Sequence, residues 1–109
     1  MPTRPDTLQG SLPLLVLTVL HRRGPLHGYA ITSLIPNFSD ALLVEEGSLY
    51  PSLHRMEVFW LIKARTITTE HNRRARAYEI TAAGRRQLDT EEARWRSVTD
   101  AVNYVLKHA

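Results

Sequence analysis

The sequence predicts a mainly α-helical α+β fold in which a two-stranded β-hairpin separates three short helices from one long helix. Three observations predict it. Apolar residues recur at helical spacing before residue 60 and after residue 81. Residues 61–68 are rich in β-branched side chains and alternate in polarity, and residues 76–81 place two apolar side chains on one side, which indicates two strands. The polar residues 69–75 between them indicate a turn.

Length and composition limit the possible classes of protein. A chain of 109 residues is expected to form a single domain, residues 1–109, with one modest core. It has no cysteine, which excludes a disulfide scaffold and a thiolate metal site and fits a reducing cytoplasm. The longest apolar run, residues 12–20, is shorter than the roughly 20 residues that span a bilayer, so no membrane contact is expected.

The first helix is predicted over residues 12–23, because apolar residues fill its first part and Gly24 follows its end. Ser11 is expected to cap it. Pro13 would then lie in the first turn, where its missing N–H has no partner. Residues 1–8 are polar and contain two prolines, which predicts a frayed terminus.

The second helix is predicted to begin at residues 27–29 and to end at Pro36. The third helix is predicted over about residues 48–59, with Ser48 as its N-cap. Its buried stripe is expected to consist of apolar residues at steps of four, three and four: Leu49, Leu53, Met56 and Trp60. Its outward face is expected to carry these residues: Ser48, Tyr50, Ser52 and Arg55.

The last helix is predicted over residues 82–107, with Thr81 as its N-cap. Apolar residues recur along it at the spacing of a coiled-coil seam: Leu88, Trp95, Val98, Val102 and Val105. In so short a chain this stripe must pack on the first helix or on a second copy of the chain. These five residues are therefore candidates for a homodimer interface.

The net charge of +3 is unevenly distributed along the chain. Residues 60–86 carry seven basic and two acidic residues, whereas residues 40–59 have a net charge of −3. Such a basic block is typical of a surface that meets a polyanion, although a solvated hairpin tip would have the same composition.

The predicted order of elements is the winged helix-turn-helix arrangement. In that arrangement the third helix enters the major groove of DNA, and the hairpin, or wing, contacts the flanking backbone or minor groove. On the outward face of the third helix, the Tyr50 ring could contact a sugar or thymine methyl group and its hydroxyl a phosphate. The alternative is a ring folded onto the hairpin as core. Arg73, Arg74 and Arg76 suit phosphate contacts or insertion into a narrow minor groove.

Five segments of the sequence resemble one known family. They are residues 24–29 (GPLHGY), 46–57 (EGSLYPSLHRME), 72–76 (NRRAR), 78–84 (YEITAAG) and 101–106 (AVNYVL). Together they resemble the PadR-like transcriptional regulators over residues 8–106, nearly the whole chain. The length resembles the short subfamily, which has one C-terminal helix in place of a separate C-terminal domain.

The resemblance implies a bacterial winged-helix repressor that binds double-stranded operator DNA and dimerises through its C-terminal helix. The dimer contacts that it implies lie along residues 88–106 and on the first helix. It implies major-groove contacts at Ser48, Tyr50 and Pro51. The phosphate contacts that it implies lie at the second helix and the wing: Gly28, Tyr29, Asn72, Arg73, Arg74 and Arg76. Trp60 stands where family members usually have a glycine, between the third helix and the wing, and glycine there often marks a positive φ.

Other functions are weighed against this one. The five histidines lack metal-ligand spacing and the serines lack the context of a nucleophile, so we expect no enzyme activity, no cofactor and no metal. Trp95, Val98 and Val102 of two subunits could line an apolar cleft for a small aromatic effector, or could simply be interface core. A winged helix can also bind protein, so the alternative function is a protein–protein interaction module without specific DNA binding.

Overall fold

In a computed structural model, the backbone is described for residues 6–109 and the side chains for residues 11–45 and 47–109. The helices are α1 (Asp6–Arg23), α2 (Gly28–Leu34), α3 (Glu46–Val58) and α4 (Ala82–His108). A 3₁₀ turn, Ile35–Asn37, follows α2. The strands are β1 (Leu26–His27), β2 (Ile62–Thr68) and β3 (Arg74–Ile80). The predicted fold class, a mainly α winged helix-turn-helix, is confirmed.

Helix α1 begins at Asp6, before the predicted start at Leu12. Of the terminus predicted to be frayed, residues 1–5 lie outside the described residues and residues 6–8 are helical. Ser11 is therefore inside the helix and is not its cap, and Pro13 lies beyond the first turn. The prediction placed the start at the first apolar residue, but adding polar residues to an existing helix requires no new nucleation.

The core surrounds α1, in which Val16 and Leu17 have no exposed surface. Every other helix, the 3₁₀ turn and both long strands contribute buried apolar residues to the same cluster, among them Ile31, Ile35, Leu49, Leu53, Ile62, Tyr78 and Leu88. A helix that is apolar on nearly all sides must be covered on nearly all sides. Helix α1 meets this requirement because α3, α4 and β3 all pack against it.

The sheet is antiparallel with the strand order β1-β3-β2. Strands β2 and β3 form the predicted hairpin, with Ile62 opposite Ile80 and Thr68 opposite Arg74. The third strand, β1, was not predicted. It is two residues long and pairs Leu26 with Tyr78, and two residues are too few to show an alternating pattern.

Helix α3 begins two residues before the predicted position. Glu45 is its N-cap, and the Ser48 amide donates to the Glu45 carbonyl at 3.0 Å, so Ser48 lies in the first turn and is not the cap. The buried stripe predicted at Leu49, Leu53 and Met56 is confirmed. Two assignments are wrong. Ser52 was expected to face outward and is buried, because on a helix it lies beside Leu49 and Met56. Trp60 lies beyond the end of α3 and is 74% exposed.

Helix α3 ends in a Schellman motif. The Leu61 amide donates to the Met56 carbonyl at 2.9 Å and the Trp60 amide to the Glu57 carbonyl at 3.0 Å. The motif requires a left-handed conformation at the first residue after the helix cap. That residue is Trp60, which has φ = 61°. The positive φ expected at this position is therefore present, although a tryptophan occupies it. For a residue with a Cβ this conformation costs about 1–2 kcal/mol.

The start of α4 is fastened to the same two residues. The Thr81 hydroxyl caps α4 by accepting from the Gly84 amide at 3.0 Å, as predicted. It also lies 2.6 Å from the Trp60 carbonyl oxygen and 3.0 Å from that of Leu61, to which the Thr81 amide donates at 3.0 Å. A Cβ at Gly84 would lie 2.1 Å from the Leu61 carbonyl oxygen. We call this contact between Trp60–Leu61 and Thr81–Gly84 the Thr81 joint.

Replacing Trp60 by glycine is expected to stabilise the fold by about 0.5–1 kcal/mol. The gain is the relief of the left-handed conformation, reduced by the greater entropy of glycine in the unfolded chain. Urea denaturation measures it. Phe59→Gly is the control, because Phe59 has φ = −91° and the same substitution should only destabilise. Equal losses for both variants would contradict the assignment of strain to Trp60.

Gly84→Ala is expected to destabilise the fold by about 1–3 kcal/mol, because the added methyl group collides with backbone and not with a flexible side chain. This is the opposite of the usual gain from replacing glycine by alanine within a helix. Gly47→Ala is the matched control, since a Cβ at Gly47 meets no atom within 4 Å. Thermal unfolding of both variants checks the difference. A stabilised Gly84→Ala protein would refute the close packing at the Thr81 joint.

Candidate nucleic-acid interface

The outward face of α3 contains the residues expected to contact DNA bases. Tyr50 is 44% exposed, Pro51 is exposed and Ser48 is half-buried. Two exposed residues of the same helix, His54 and Arg55, are also available there. His54 was not among the expected contacts. Its position opposite Leu53 and Met56 on the helix would have indicated that it faces outward.

The Tyr50 ring is held in place by the start of α2. A Cβ at Gly28 would lie 2.7 Å from the Tyr50 hydroxyl oxygen and 2.8 Å from its Cε1 atom, so only a glycine allows the ring to lie there. Gly28 itself is buried. The contribution of Gly28 that the structure shows is to position Tyr50, and its expected phosphate contact stays a prediction.

Helix α2 is capped by a residue that the sequence did not indicate. The His27 Nδ1 atom accepts a hydrogen bond from the Ala30 amide at 3.2 Å. The His27 and Tyr29 rings are stacked, with their centroids 6.5 Å apart, and Tyr29 is 67% exposed. The tyrosine expected to contact phosphate is thus on the surface beside a capped helix start.

The wing turns through a three-residue loop. The Thr69 amide donates to the Arg73 carbonyl at 2.8 Å, and the Asn72 amide donates to the Thr69 carbonyl at 2.9 Å. Asn72 has φ = 58°, a conformation that asparagine tolerates better than most residues with a Cβ. Asn72 was expected to contact DNA, and the structure gives it a conformational role at the wing tip as well.

The three arginines of the wing have different surroundings. Arg73 and Arg74 are exposed, and neither guanidinium has an acidic partner within the described part of the chain. Arg76 instead pairs with Glu57 of α3 at 2.8 Å, and the Glu57 charge is the main cause of its raised pKa. Arg76 therefore connects the wing to α3, whereas Arg73 and Arg74 present positive charge that no described carboxylate pairs with.

Two clefts lie beside these residues. One, of about 770 Å³, separates the wing tip from the start of α2 and is lined by Tyr29, Arg73 and Arg74 among others. The other, of about 530 Å³, lies between α3 and the wing and is lined by Tyr50, His54 and Arg76 among others. Of the expected DNA contacts, Tyr29, Arg73 and Arg74 therefore border one cleft, and Tyr50 and Arg76 border the other. Pro51 and Asn72 are exposed but line neither cleft.

The apolar stripe of α4 divides into a buried and an exposed part. Leu88 is 6% exposed because it lies in the core of its own chain, so its expected place in a dimer interface is wrong. The other four predicted interface residues are between 43% and 59% exposed: Trp95, Val98, Val102 and Val105. Leu106, which was not predicted, lies on the same side of the helix and extends this apolar surface, whereas the exposed Tyr104 lies on the opposite side. A surface of this kind is typical of an interaction site.

Comparison with known proteins decides the family. The model of the PadR-like family of transcriptional regulators matches residues 16–90, which is more than half of the chain. The chain belongs to the PadR-like family. It is therefore a winged-helix DNA-binding transcriptional regulator and not an enzyme, as the sequence predicted.

Solved structures of transcriptional regulators, two of them named as PadR-like or PadR family proteins, have the same fold. A transcriptional regulator from Clostridium thermocellum aligns with a TM-score of 0.82 and 26% identity, over 92% of this chain and 97% of that one. A PadR family regulator from Eggerthella lenta aligns at 0.81 and 28% identity, over 95% and 88%. One from Bacillus cereus aligns at 0.80 and 27% identity, over 96% and 100%.

A curated relative is considerably longer than this PadR-like chain. It is an uncharacterized 37.1 kDa protein of a transposon from Streptomyces fradiae, 41% identical over 78 residues. The match covers 72% of this chain and 21% of that protein, so the chain spans about a fifth of its length. In the described region of this chain, no helix has the length and apolar character needed to cross a membrane.

The contact between Gly28 and Tyr50 predicts an energetic coupling. Gly28→Ala is expected to destabilise the protein by about 1–2 kcal/mol, because the new methyl group displaces the Tyr50 ring. In a Tyr50→Ala background most of that loss should disappear. A double-mutant cycle of urea denaturation measures the coupling. Equal costs of Gly28→Ala in both backgrounds would show that the ring does not depend on Gly28.

Proposed function

We propose that this protein is a homodimeric transcriptional repressor that binds operator DNA with α3 in the major groove and the wing on the adjacent backbone or minor groove. The observation that carries the proposal is the position of Tyr50. Its large ring is 44% exposed on the outward face of α3, and α2 holds it there through Gly28. A tyrosine fixed at the surface of this helix is suited to base and phosphate contacts.

In this proposal the base contacts come from the first half of α3. Ser48 and Tyr50 supply hydroxyl groups for hydrogen bonds, and Pro51 supplies an apolar surface for a thymine methyl group. His54 and Arg55 follow on the same helix and add donors for base edges or phosphates. The exposure of Tyr50, Pro51, His54 and Arg55 supports the assignment.

The wing supplies the contacts that are independent of sequence. Arg73 and Arg74 have no competing acidic partner in the described structure, and they share a cleft with Tyr29. Tyr29 adds a hydroxyl group beside the same cleft, and the exposed Asn72 adds an amide at the wing tip. Arg76 is assigned a positioning role, because its guanidinium is bound to Glu57 and its pairing holds the wing beside α3.

A second copy of the chain is proposed to cover the exposed stripe of α4, which makes residues 82–107 the dimerisation helix of a single domain. The two α3 helices would then lie about one DNA turn, ~34 Å, apart. Trp95, Val98 and Val102 lie on one face of α4 at helical spacing. Across the dimer axis they would form an apolar cleft for a flat aromatic effector. The proposed site of action is the cytoplasm, where bacterial DNA is accessible.

The test is fluorescence anisotropy with DNA from upstream of the protein's own gene and with unrelated DNA of equal length, over a salt series. We expect tighter binding to the upstream DNA, and a loss of that preference in Tyr50→Ala. Arg74→Gln should weaken binding to both DNAs. It should lower the slope of log affinity against log salt by about 2, since each phosphate contact adds about 0.9 and a dimer has two Arg74 residues.

Arg85→Gln is the control, because Arg85 is also an exposed arginine but lies on α4, outside both clefts. Its salt slope should equal that of the wild type. Equal affinity for both DNAs would contradict specific reading by α3. Absence of binding to either DNA at low salt would favour the protein-interaction function instead, and light scattering that finds a monomer at micromolar concentration would contradict the dimer.

A further inference from the structure

The start of α2 is capped by an imidazole, which is an unusual group for this task. The Nδ1 atom of His27 accepts a hydrogen bond from the Ala30 amide at 3.2 Å. A ring nitrogen accepts only while it carries no proton, so the cap requires an unprotonated Nδ1. The usual N-cap residues serine, threonine and asparagine have no charge to change, whereas imidazole changes its charge between about pH 5 and about pH 8.

The cap holds the residue against which the Tyr50 ring lies. Gly28 follows His27 directly, is the first residue of α2 and is buried. A Cβ at Gly28 would lie between 2.7 and 3.0 Å from three atoms of the Tyr50 side chain, so the ring lies against the Gly28 backbone itself. Any movement of the start of α2 therefore alters the position of Tyr50 on the outward face of α3.

The wing tip faces His27 across the cleft of about 770 Å³ that both of them line. Four titratable or charged side chains of the wing tip line this cleft: Glu70, His71, Arg73 and Arg74. All four are exposed, and no described carboxylate forms an ion pair with either arginine. Because two arginines outnumber one carboxylate, a positive charge on His27 meets a net repulsion from this side.

The elements packed most closely against β1, which ends at His27, are α2 and β3, and neither offers a compensating charge. On α2, the Tyr29 ring is stacked on His27 with the centroids 6.5 Å apart, and the helix start has a positive partial charge. On β3, Ala77 stands opposite His27, and the carboxylate of that strand, Glu79, is paired with Lys63 at 3.7 Å. Protonation of His27 therefore removes the cap and adds a charge that its surroundings oppose.

We propose that His27 makes the recognition of operator DNA dependent on pH. With a neutral ring, His27 caps α2, and Tyr50 is held on the outward face of α3. Protonation releases the cap, the start of α2 loses its fixed position, and Tyr50 loses the support of Gly28. This inference rests on the proposed function, since it concerns the regulation of the same α3 surface, and His27 acts in it as a positioning residue.

Protonation has two effects on DNA binding, and they can be separated. Positive charge on His27 and on His71 strengthens the attraction to any DNA, because phosphate contacts are independent of sequence. The loss of the cap weakens only the binding that depends on the position of Tyr50. The ratio of the affinities for the upstream DNA and for unrelated DNA therefore isolates the effect of the cap.

Fluorescence anisotropy with these two DNAs, between about pH 8 and about pH 5.5, measures the ratio. In the wild type we expect it to fall about fivefold toward the lower pH, which is the equilibrium factor for the loss of one N-cap. His27→Asn should keep the ratio high throughout, since asparagine caps a helix without titrating. His27→Ala, which has no cap, should show the low ratio at every pH.

His71→Asn is the matched control, because His71 lines the same cleft but lies in the turn of the wing and not beside a helix start. This variant should retain the fall in the ratio. His54 of α3 adds any pH dependence of its own equally to the wild type and to His27→Asn, so the difference between these two proteins reports His27 alone. An equal fall of the ratio in both would overturn the proposal.

A titration of the free protein tests the role of the cap without DNA. NMR follows the His27 imidazole, the Ala30 amide and the Tyr50 ring, and we expect all three to change at one common midpoint. In His27→Asn that change should be absent from the Ala30 and Tyr50 signals. A Tyr50 ring that does not respond at the His27 midpoint would overturn the proposal. If the two DNAs bind equally at the highest pH, the proposed function fails, and this titration alone decides whether the cap controls Tyr50.

Discussion

The Thr81 joint is the contact on which the relative arrangement of α3, the wing and α4 depends. The two residues Trp60 and Leu61 complete the C-terminal motif of α3, lead directly into β2 and accept the hydrogen bonds from Thr81 at the start of α4. The Leu61 carbonyl is approached so closely by Gly84 that no other residue type leaves room. One small region of backbone therefore fixes the directions of α3, the wing and α4 relative to one another.

Two further contacts hold α3 against the wing and against α2. The ion pair between Arg76 and Glu57 joins the middle of β3 to the last turn of α3. At the start of α2, Gly28 leaves room for the Tyr50 ring and so holds it in position. A surface that must match the spacing of a nucleic-acid groove benefits from side chains held by such supporting contacts. The left-handed Trp60 shows that this arrangement is retained even where the local sequence opposes it.

The sequence predicted those features that depend on periodicity and missed those that depend on contacts between distant residues. The order of elements, the α3 stripe and the hairpin followed from apolar spacing, and the family resemblance was confirmed. Apolar spacing did not reveal three features: the helix starts at polar residues, the two-residue strand β1 and the burial of Ser52. At the interface, exposure of Tyr50 was predicted, but its support by Gly28 and the pairing of Arg76 join elements far apart in sequence.

The length of α4 has a mechanical consequence. At 1.5 Å per residue, the 27 residues of α4 form a helix about 40 Å long, and the Thr81 joint holds its N-terminal end. If α4 tilts by about 10° at the Thr81 joint, its C-terminal end moves by about 7 Å. This distance is close to two base-pair steps of about 3.4 Å each. A small change of backbone packing at Gly84 is thereby amplified into a displacement of several ångströms at the far end of α4.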